Sequence, residues 1–325
     1  MTELEWCKSN APSALKYCDD QTLMKAMHSS YERYVLSDLN FVDIIWEPYD
    51  APSDHTNQIR ALYGSSLYEP NEGVEFCFVP TLKMLNLEEN ILKLYDKLKV
   101  VDNSVSICNE VYFTSKIEGA NTTLQRTFEI HDGLPVAEYD FSENMIKGCF
   151  NATKALNLYS SKLDKDKLIS VWQILTEDCK SNEDLQGDRF RIDNVQVGNH
   201  VGLNPDLLEE AMTLWFEYYH SDILNNHPFI KAALLHFSFE YIHPFCDGNG
   251  RLGRLLLSNY LIQMGYDKLR AVSFSSVIDK SRYRYDYAFN VSENVYTDCT
   301  FFIEYILEVI LLALRNCLEV EGDVK

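Results

Sequence analysis

His243-Pro244-Phe245-Cys246-Asp247-Gly248-Asn249-Gly250-Arg251-Leu252-Gly253-Arg254 is the stretch that decides how the rest of the chain is read. An apolar run, Ala232–Ile242, leads into it and an amphipathic run, Leu252–Met264, leaves it, so the stretch reads as a loop between two helices. Gly248-Asn249-Gly250 lets backbone N–H groups turn inward without obstruction from Cβ atoms. The loop ends where the next helix begins, and free N–H groups with the positive dipole end favour an anion there. Arg251 and Arg254 are three residues apart and so share one helix face. Their guanidinium forks suit phosphate oxygens. Asp247 beside such a site is a natural ligand for Mg²⁺, which takes one or two carboxylates plus phosphate oxygens. His243 can reach the same cavity, and an imidazole suits a general base near neutral pH.

Each feature has a plainer reading when taken alone. A histidine before a proline is most often a buried core residue. Gly248-x-Gly250-x-x-Gly253 also spells a dinucleotide-binding fingerprint. That fingerprint needs a preceding strand and a βαβ unit, whereas Phe229–Ile242 is long and nearly continuous in apolar residues, which suits a buried helix. A base, a metal ligand, an anion loop and two forks together within twelve residues are hard to obtain by chance.

Outward from the loop, helical periodicity covers Glu143–Tyr159, Asp166–Glu177, Pro205–His220, Pro228–Ile242, Arg251–Gly265 and Cys299–Leu318. Upstream, Leu85, Leu87, Ile91, Leu92 and Leu98 recur at helical spacing, and a further segment runs through Ile107, Val111 and Phe113 to Glu118-Gly119. Arg189–Gly198 alternates imperfectly and reads as a short β-hairpin. The fold class expected is mainly α with one small β element. Residues 1–80 mix a helical start, Leu23–Tyr34, with a polar stretch rich in Pro and Gly, and read as an N-terminal extension on a domain spanning 81–325.

With 29 Lys and Arg against 49 Asp and Glu, the formal charge is −20, which argues against nucleic-acid partners. An anionic ligand would then need a local basic pocket. Nine cysteines form no C-x-x-C pair, so neither a disulfide framework nor a zinc site is suggested. The longest apolar stretch, Phe301–Leu318, is broken by Glu304, Glu308 and Arg315, so it reads as a core helix and no membrane segment is expected. Met1–Trp6 lacks the features of a signal peptide, and a reducing cytoplasm is the expected compartment.

The loop fits the Fic-domain signature, HPFx(D/E)GNGRxxR, at every fixed position. Gly187-Asp188-Arg189-Phe190-Arg191 with Val195–His200 resembles the flap hairpin of that family, and the resemblance covers roughly residues 105 to 310. It implies a helical-bundle core with a β-hairpin flap at about 187–200, and transfer of a nucleotide monophosphate, usually AMP from ATP, to a protein hydroxyl. Carried over, His243 would deprotonate a Ser, Thr or Tyr hydroxyl of the target, and Asp247 would hold Mg²⁺. Gly248, Asn249 and Gly250 would cradle the α- and β-phosphates, Arg251 would neutralise the β-phosphate, and Arg254 would grip the γ-phosphate. Phe245 would anchor the loop.

Thr114-Ser115-Lys116-Ile117-Glu118-Gly119 reads by itself as a helix end with Gly119 as the stop. It also matches the family's inhibitory motif, [S/T]xxxE[G/N], through Thr114, Glu118 and Gly119, in the class with an N-terminal inhibitory helix, here at about 105–120. In that class the Glu pairs with the second signature arginine, here Arg254, and takes the γ-phosphate's place. Tyr283, Tyr285, Tyr287 and Asn294 lie near where the family lines its adenine pocket, although a tyrosine-rich helix is more often core or interface. His236 reads as a satisfied core histidine. The expected function is thus an autoinhibited protein adenylyltransferase using ATP and Mg²⁺ on a protein target, including the chain itself. Homodimerisation is a further expectation from the family. Transfer of UMP, another nucleotide or phosphate, removal of AMP, or nucleotide binding without turnover remain alternatives.

Overall fold

The computed structural model describes residues 4, 5, 8, 68–69, 74–75, 78, 81–99, 104–134, 138–158, 163–179, 189–197, 200–294 and 299–323. The helix expected at Leu23–Tyr34, and nearly all of the extension at 1–80, lie outside these residues. Described within the extension are β1 (Tyr68–Glu69) and β2 (Val74–Glu75), antiparallel with Tyr68 opposite Glu75. Then follow α1 (Leu82–Lys97), α2 (Ser104–Ile117), α3 (Leu124–His131), α4 (Phe141–Leu158) and α5 (Lys165–Thr176). The flap strands β3 (Gln196–Val197) and β4 (His200–Val201) precede α6 (Leu208–His220), α7 (Pro228–Ile242) and α8 (Asn249–Gln263). The last helices are α9 (Ser275–Lys280), α10 (Arg282–Asn294) and α11 (Thr300–Asp323). The protein is mainly α, as its periodicity implies, and no described helix is long and apolar enough to cross a membrane.

The centre of the bundle is α7. Pro228 occupies its first turn, where a missing N–H costs nothing, and almost every residue from Pro228 to Phe239 is buried whichever way it points. The α6 face packs on it through Trp215, whose indole N–H donates to the Leu235 carbonyl at 3.1 Å. The helix stops at His243, which adopts the left-handed conformation (φ 53°, ψ 61°) as C-cap. The chain can then turn through the loop into α8, whose apolar residues Leu252, Leu255, Leu256 and Leu261 close back on α7.

Two details go beyond the local pattern. The buried stripe of α1 is Met84, Glu88, Ile91 and Leu98, while Leu85 and Leu92 are exposed. A carboxylate enters that stripe because Glu88 meets His227 Nδ1 at 2.7 Å, a partner 139 residues away. The hairpin forms downstream of Arg189–Val195: Gln196 pairs with Val201 and Val197 with His200. Phe190 and Arg191 turn into the core instead of joining the ladder.

Candidate active site

Phe245 anchors the signature loop. Its ring is fully buried and stacks on Trp172 of α5 at a centroid distance of 4.6 Å, with planes 4° apart. The Trp172 indole also donates to the Asp247 carbonyl at 2.8 Å. Asn249 holds the loop from the other side: its Oδ1 accepts the Phe245 N–H at 3.0 Å and its Nδ2 donates to the Phe245 carbonyl at 2.7 Å. The Asn249 side chain therefore shapes the loop, and what it can offer an anion is its backbone N–H in the first turn of α8. Gly248 is the N-cap, with φ 84°, a left-handed conformation that favours glycine, and it supplies no side-chain cap. The first N–H groups of α8 are thus left for a ligand.

His243 projects from the left-handed cap. Its Nδ1 faces the Glu240 carbonyl at 3.1 Å, and because a carbonyl can only accept, Nδ1 carries the proton. Nε2 of the neutral ring then keeps its lone pair. Burial pulls the imidazole pKa down to about 4, against the Glu240 hydrogen bond that raises it, while His200 and the Arg191 guanidinium add to the lowering. Neutral His243 is the form a general base needs.

The two signature arginines are both buried on α8, at 1% exposed for Arg251 and 2% for Arg254. Arg251 Nη2 donates to Asp247 Oδ2 at 2.9 Å, while its Nε and Nη1 find no acceptor among the described residues. Buried guanidinium donors without partners are costly, and phosphate oxygens are the acceptors that suit them. Asp247 itself is 63% exposed. A single open carboxylate next to an anion loop fits Mg²⁺, provided phosphate and water supply the remaining oxygens. Among the described residues no group of three or more His, Cys, Asp or Glu side chains converges on a metal position.

Arg254 is held through two of its nitrogens. Its Nε donates to Thr114 Oγ1 at 2.9 Å, and its Nη2 donates to the Thr114 carbonyl at 3.1 Å and to Glu118 Oε1 at 2.7 Å. Burial by itself would raise the Glu118 pKa, but the charge and hydrogen bond of Arg254, with Arg282 and Arg251 beyond, hold it below the ordinary carboxylate value. The same carboxylate lies over the first turn of α8: a Cβ built on Gly250 would collide with Glu118 Oε1 and stand 3.1 Å from its Cδ. An anionic group thus already occupies the Arg254 side of the helix N-terminus. Gly119, at φ 90°, ends α2 immediately after it.

The helix that presents Glu118 is tied down elsewhere. Buried Glu110 of α2 accepts from the Ser275 N–H at 2.9 Å, the Ser275 hydroxyl at 2.5 Å and the Ser273 hydroxyl at 3.0 Å, capping α9. Arg282 Nη1 donates to the Ile117 carbonyl at 2.9 Å. Neither contact is signalled by local sequence, since each spans more than 160 residues.

Tyr285 lies inside the protein beside Arg254. It is 4% exposed, its hydroxyl meets His236 Nε2 at 2.8 Å, and its ring is packed by Phe289 and Phe302. His236 is the core histidine expected, with burial pulling its pKa down to about 3. Burial pushes the neighbouring Glu240 up to about 8. Tyr283 is exposed and stacks with Tyr287 at 6.2 Å; α10 ends at Asn294, whose side chain lies outside the described residues. His200 of the flap faces the Tyr241 carbonyl through Nε2 at 3.1 Å and Glu293 through Nδ1 at 3.1 Å.

An imidazole with a lowered pKa, a helix start without a side-chain cap and two buried arginines thus meet at one loop of the helical bundle. The model of the Fic/DOC family matches residues 162–261, a stretch that takes in α5, the flap and the signature loop with most of α8. Protein adenylyltransferase Fic of Drosophila ananassae is 32% identical over 165 residues, covering 48% of this chain and 32% of that protein. The Nematostella vectensis protein of the same name is 30% identical over 208 residues, covering 60% and 45%. The matches thus span less than half the length of these curated relatives. In fold, a Fic family protein from Desulfovibrio desulfuricans G20 superposes with a TM-score of 0.65 at 21% identity, over 74% of this chain and 75% of that one. Fic-1 from C. elegans superposes at 0.62 and 18% identity, over 74% of each chain.

Proposed function

We propose that this chain transfers AMP from ATP to a Ser, Thr or Tyr hydroxyl of a protein, and that Glu118 restrains it. The observation that carries the reading is the arrangement around the start of α8, where Gly248–Gly250 and the unpartnered donors of Arg251 lie beside a His243 whose Nε2 is free. The backbone N–H groups and Arg251 bind and orient the α- and β-phosphates, and Asp247 is the residue that would hold Mg²⁺. That ion would supply charge neutralisation between the phosphates. His243 Nε2 takes the proton from the target hydroxyl, whose oxygen forms the new bond to the α-phosphorus. The bond from the α-phosphorus to the bridging oxygen breaks and pyrophosphate carries that electron pair away. Placement and charge stabilisation account for most of such a rate enhancement, with base assistance worth about 10²–10⁴-fold. The names of the curated relatives favour AMP as the transferred group.

In the restrained state, Glu118 holds Arg254 and so denies that fork to the γ-phosphate. Mass spectrometry of the Glu118→Gly protein, incubated with each nucleoside triphosphate and Mg²⁺, tests both halves of the reading. The expected outcome is an AMP adduct on the protein or an added target, formed about 10–100-fold faster than with the parent, the range set by a charge-assisted hydrogen bond of about 1.5–3 kcal/mol. A different adduct, or none, overturns AMP transfer. An adduct formed no faster than with the parent overturns the restraint.

A further inference from the structure

Arg191 is 3% exposed, at the base of the flap, and its guanidinium is spent on main-chain carbonyls. Nε donates to His243 O at 2.7 Å, Nη1 to Asp193 O at 2.7 Å, and Nη2 to Leu203 O at 2.5 Å and Ile242 O at 3.3 Å. Its own N–H donates to Pro244 O at 2.9 Å. Three of these five acceptors are consecutive, Ile242, His243 and Pro244, the turn that ends α7. Carbonyls at a helix C-terminus have no partner within the helix, and a non-glycine residue in the left-handed conformation costs roughly 1–2 kcal/mol. His243, at φ 53°, is such a residue, and the Arg191 fork supplies what the turn lacks.

Gly202 belongs to the same arrangement. Its N–H donates to Val195 O at 3.0 Å, and a Cβ built on it would lie 2.8 Å from Arg191 Nη2 and 3.2 Å from His243 Cβ. Both neighbours are fixed, one by its hydrogen bonds and the other by the cap, so neither can yield.

We propose that Arg191 is the positioning residue for the His243 base: its fork sets the left-handed turn from which the imidazole projects, and Gly202 leaves the space that turn requires. The proposal rests on His243 being the base. The groups facing that imidazole are the Glu240 carbonyl of its own helix, His200 of β4 with its ring 5.9 Å away, Glu118 at the end of α2, and Arg191. Among them Arg191 and His200 disfavour a second proton on the ring, and Glu118 favours it. Arg191 therefore has two separable effects, one of geometry and one of charge.

Arg191→Lys, Arg191→Met and Gly202→Ala, each introduced into the Glu118→Gly protein, separate them. AMP transfer and ATP binding are measured for each, and the His243 imidazole is titrated by NMR. Lys keeps the charge but loses the fork, so kcat should fall about 10²-fold, the loss typical of a misplaced catalytic group, while KM for ATP stays within about twofold. Met removes the charge as well, and the His243 titration should move up from its low value, carrying the acid limb of the rate profile with it. Gly202→Ala should reproduce the kcat loss without removing any charge. If Arg191→Lys keeps the parent's kcat, or Arg191→Met leaves the His243 titration in place, the proposal is wrong. Should Arg191→Met not fold, the Lys and Ala variants decide it through kcat. If Glu118→Gly itself transfers nothing, the function proposed above fails, and the NMR titration still reports whether Arg191 governs the imidazole.

Discussion

The two arginines of α8 lie one turn apart and meet opposite surroundings. Arg254 has a hydroxyl, a carbonyl and a carboxylate on its fork, whereas Arg251 has one contact, to an exposed aspartate, and two donors with no acceptor among the described residues. One end of the anion site is filled from within the protein, and the other is waiting. A restraint of this kind acts on how a triphosphate is laid down more than on whether a nucleotide enters. Against a chain charge of −20, this stretch sets two buried guanidinium groups and a helix start within seven residues, the local positive charge that the proposed use of ATP requires.

The largest effect expected is on the chemistry that both ends serve. His243→Ala in the Glu118→Gly protein should lower AMP transfer by about 10²–10⁴-fold, while ATP still raises the melting temperature. Transfer at the parent rate would remove His243 from the base role and make the contrast between the arginines irrelevant to catalysis. Calorimetric titration with ATP probes the contrast directly. Arg251→Ala in the otherwise unaltered chain should weaken binding about tenfold, as the loss of a charge-assisted contact implies, and Arg254→Gln should change it little because that fork is already occupied. Equal losses would break the comparison.

A smaller effect should come from Thr114→Val, which keeps the shape of a fully buried side chain but removes the acceptor for Arg254 Nε. The Thr114 carbonyl and Glu118 still hold Nη2, so the loss of this one bond, about 1 kcal/mol, should loosen the restraint by about fivefold, read as faster basal transfer. The smallest is a pH dependence. The Glu118 pKa is lowered on folding, so its ionised contact contributes stability that is present above its unfolded value, near 4.5, and is lost as pH falls through the lower folded value. The difference in melting temperature between the parent and Glu118→Gln should therefore be full at pH 7 and shrink below about pH 4.5. A difference that holds constant into acid would mean the carboxylate's charge does not matter.

Legibility in the sequence followed distance along the chain. The signature loop could be read because its chemistry is packed into twelve residues, and the limits of α7 because Pro228 opens it and His243-Pro244 closes it. Glu118 and Arg254 could each be named from a motif, but their 2.7 Å contact joins residues 136 apart and belongs to the packing of α2 against α8. Apolar spacing marked α1 as a helix but carried no sign that Glu88 would be buried, because its partner His227 is 139 residues away. Tyr285 could be named from its place in the sequence, but its packing against His236 and two phenylalanines, beside Arg254, joins residues far apart in the chain. Arg191 stood in plain view in the flap, but its carbonyl partners at Ile242 and His243 are about fifty residues away and leave no mark on local pattern.

The first long helix and the last pack along each other, and their polar ties are Thr81 Oγ1 donating to Glu304 Oε1 at 2.7 Å across 223 residues and Lys83 pairing with Glu304 and Glu308. The same Thr81 oxygen caps α1 by accepting the Met84 N–H at 3.1 Å. A ribosome adding about 5–20 residues per second needs on the order of 10–50 s to bring Glu304 out after Thr81 has emerged. For that interval the apolar stripe of α1, with Glu88 in its midst, has no finished surface to lie on. Completion of the last helix, more than any step near the signature loop, is then the event that closes the bundle, and loss of the C-terminal helix would strand the first one.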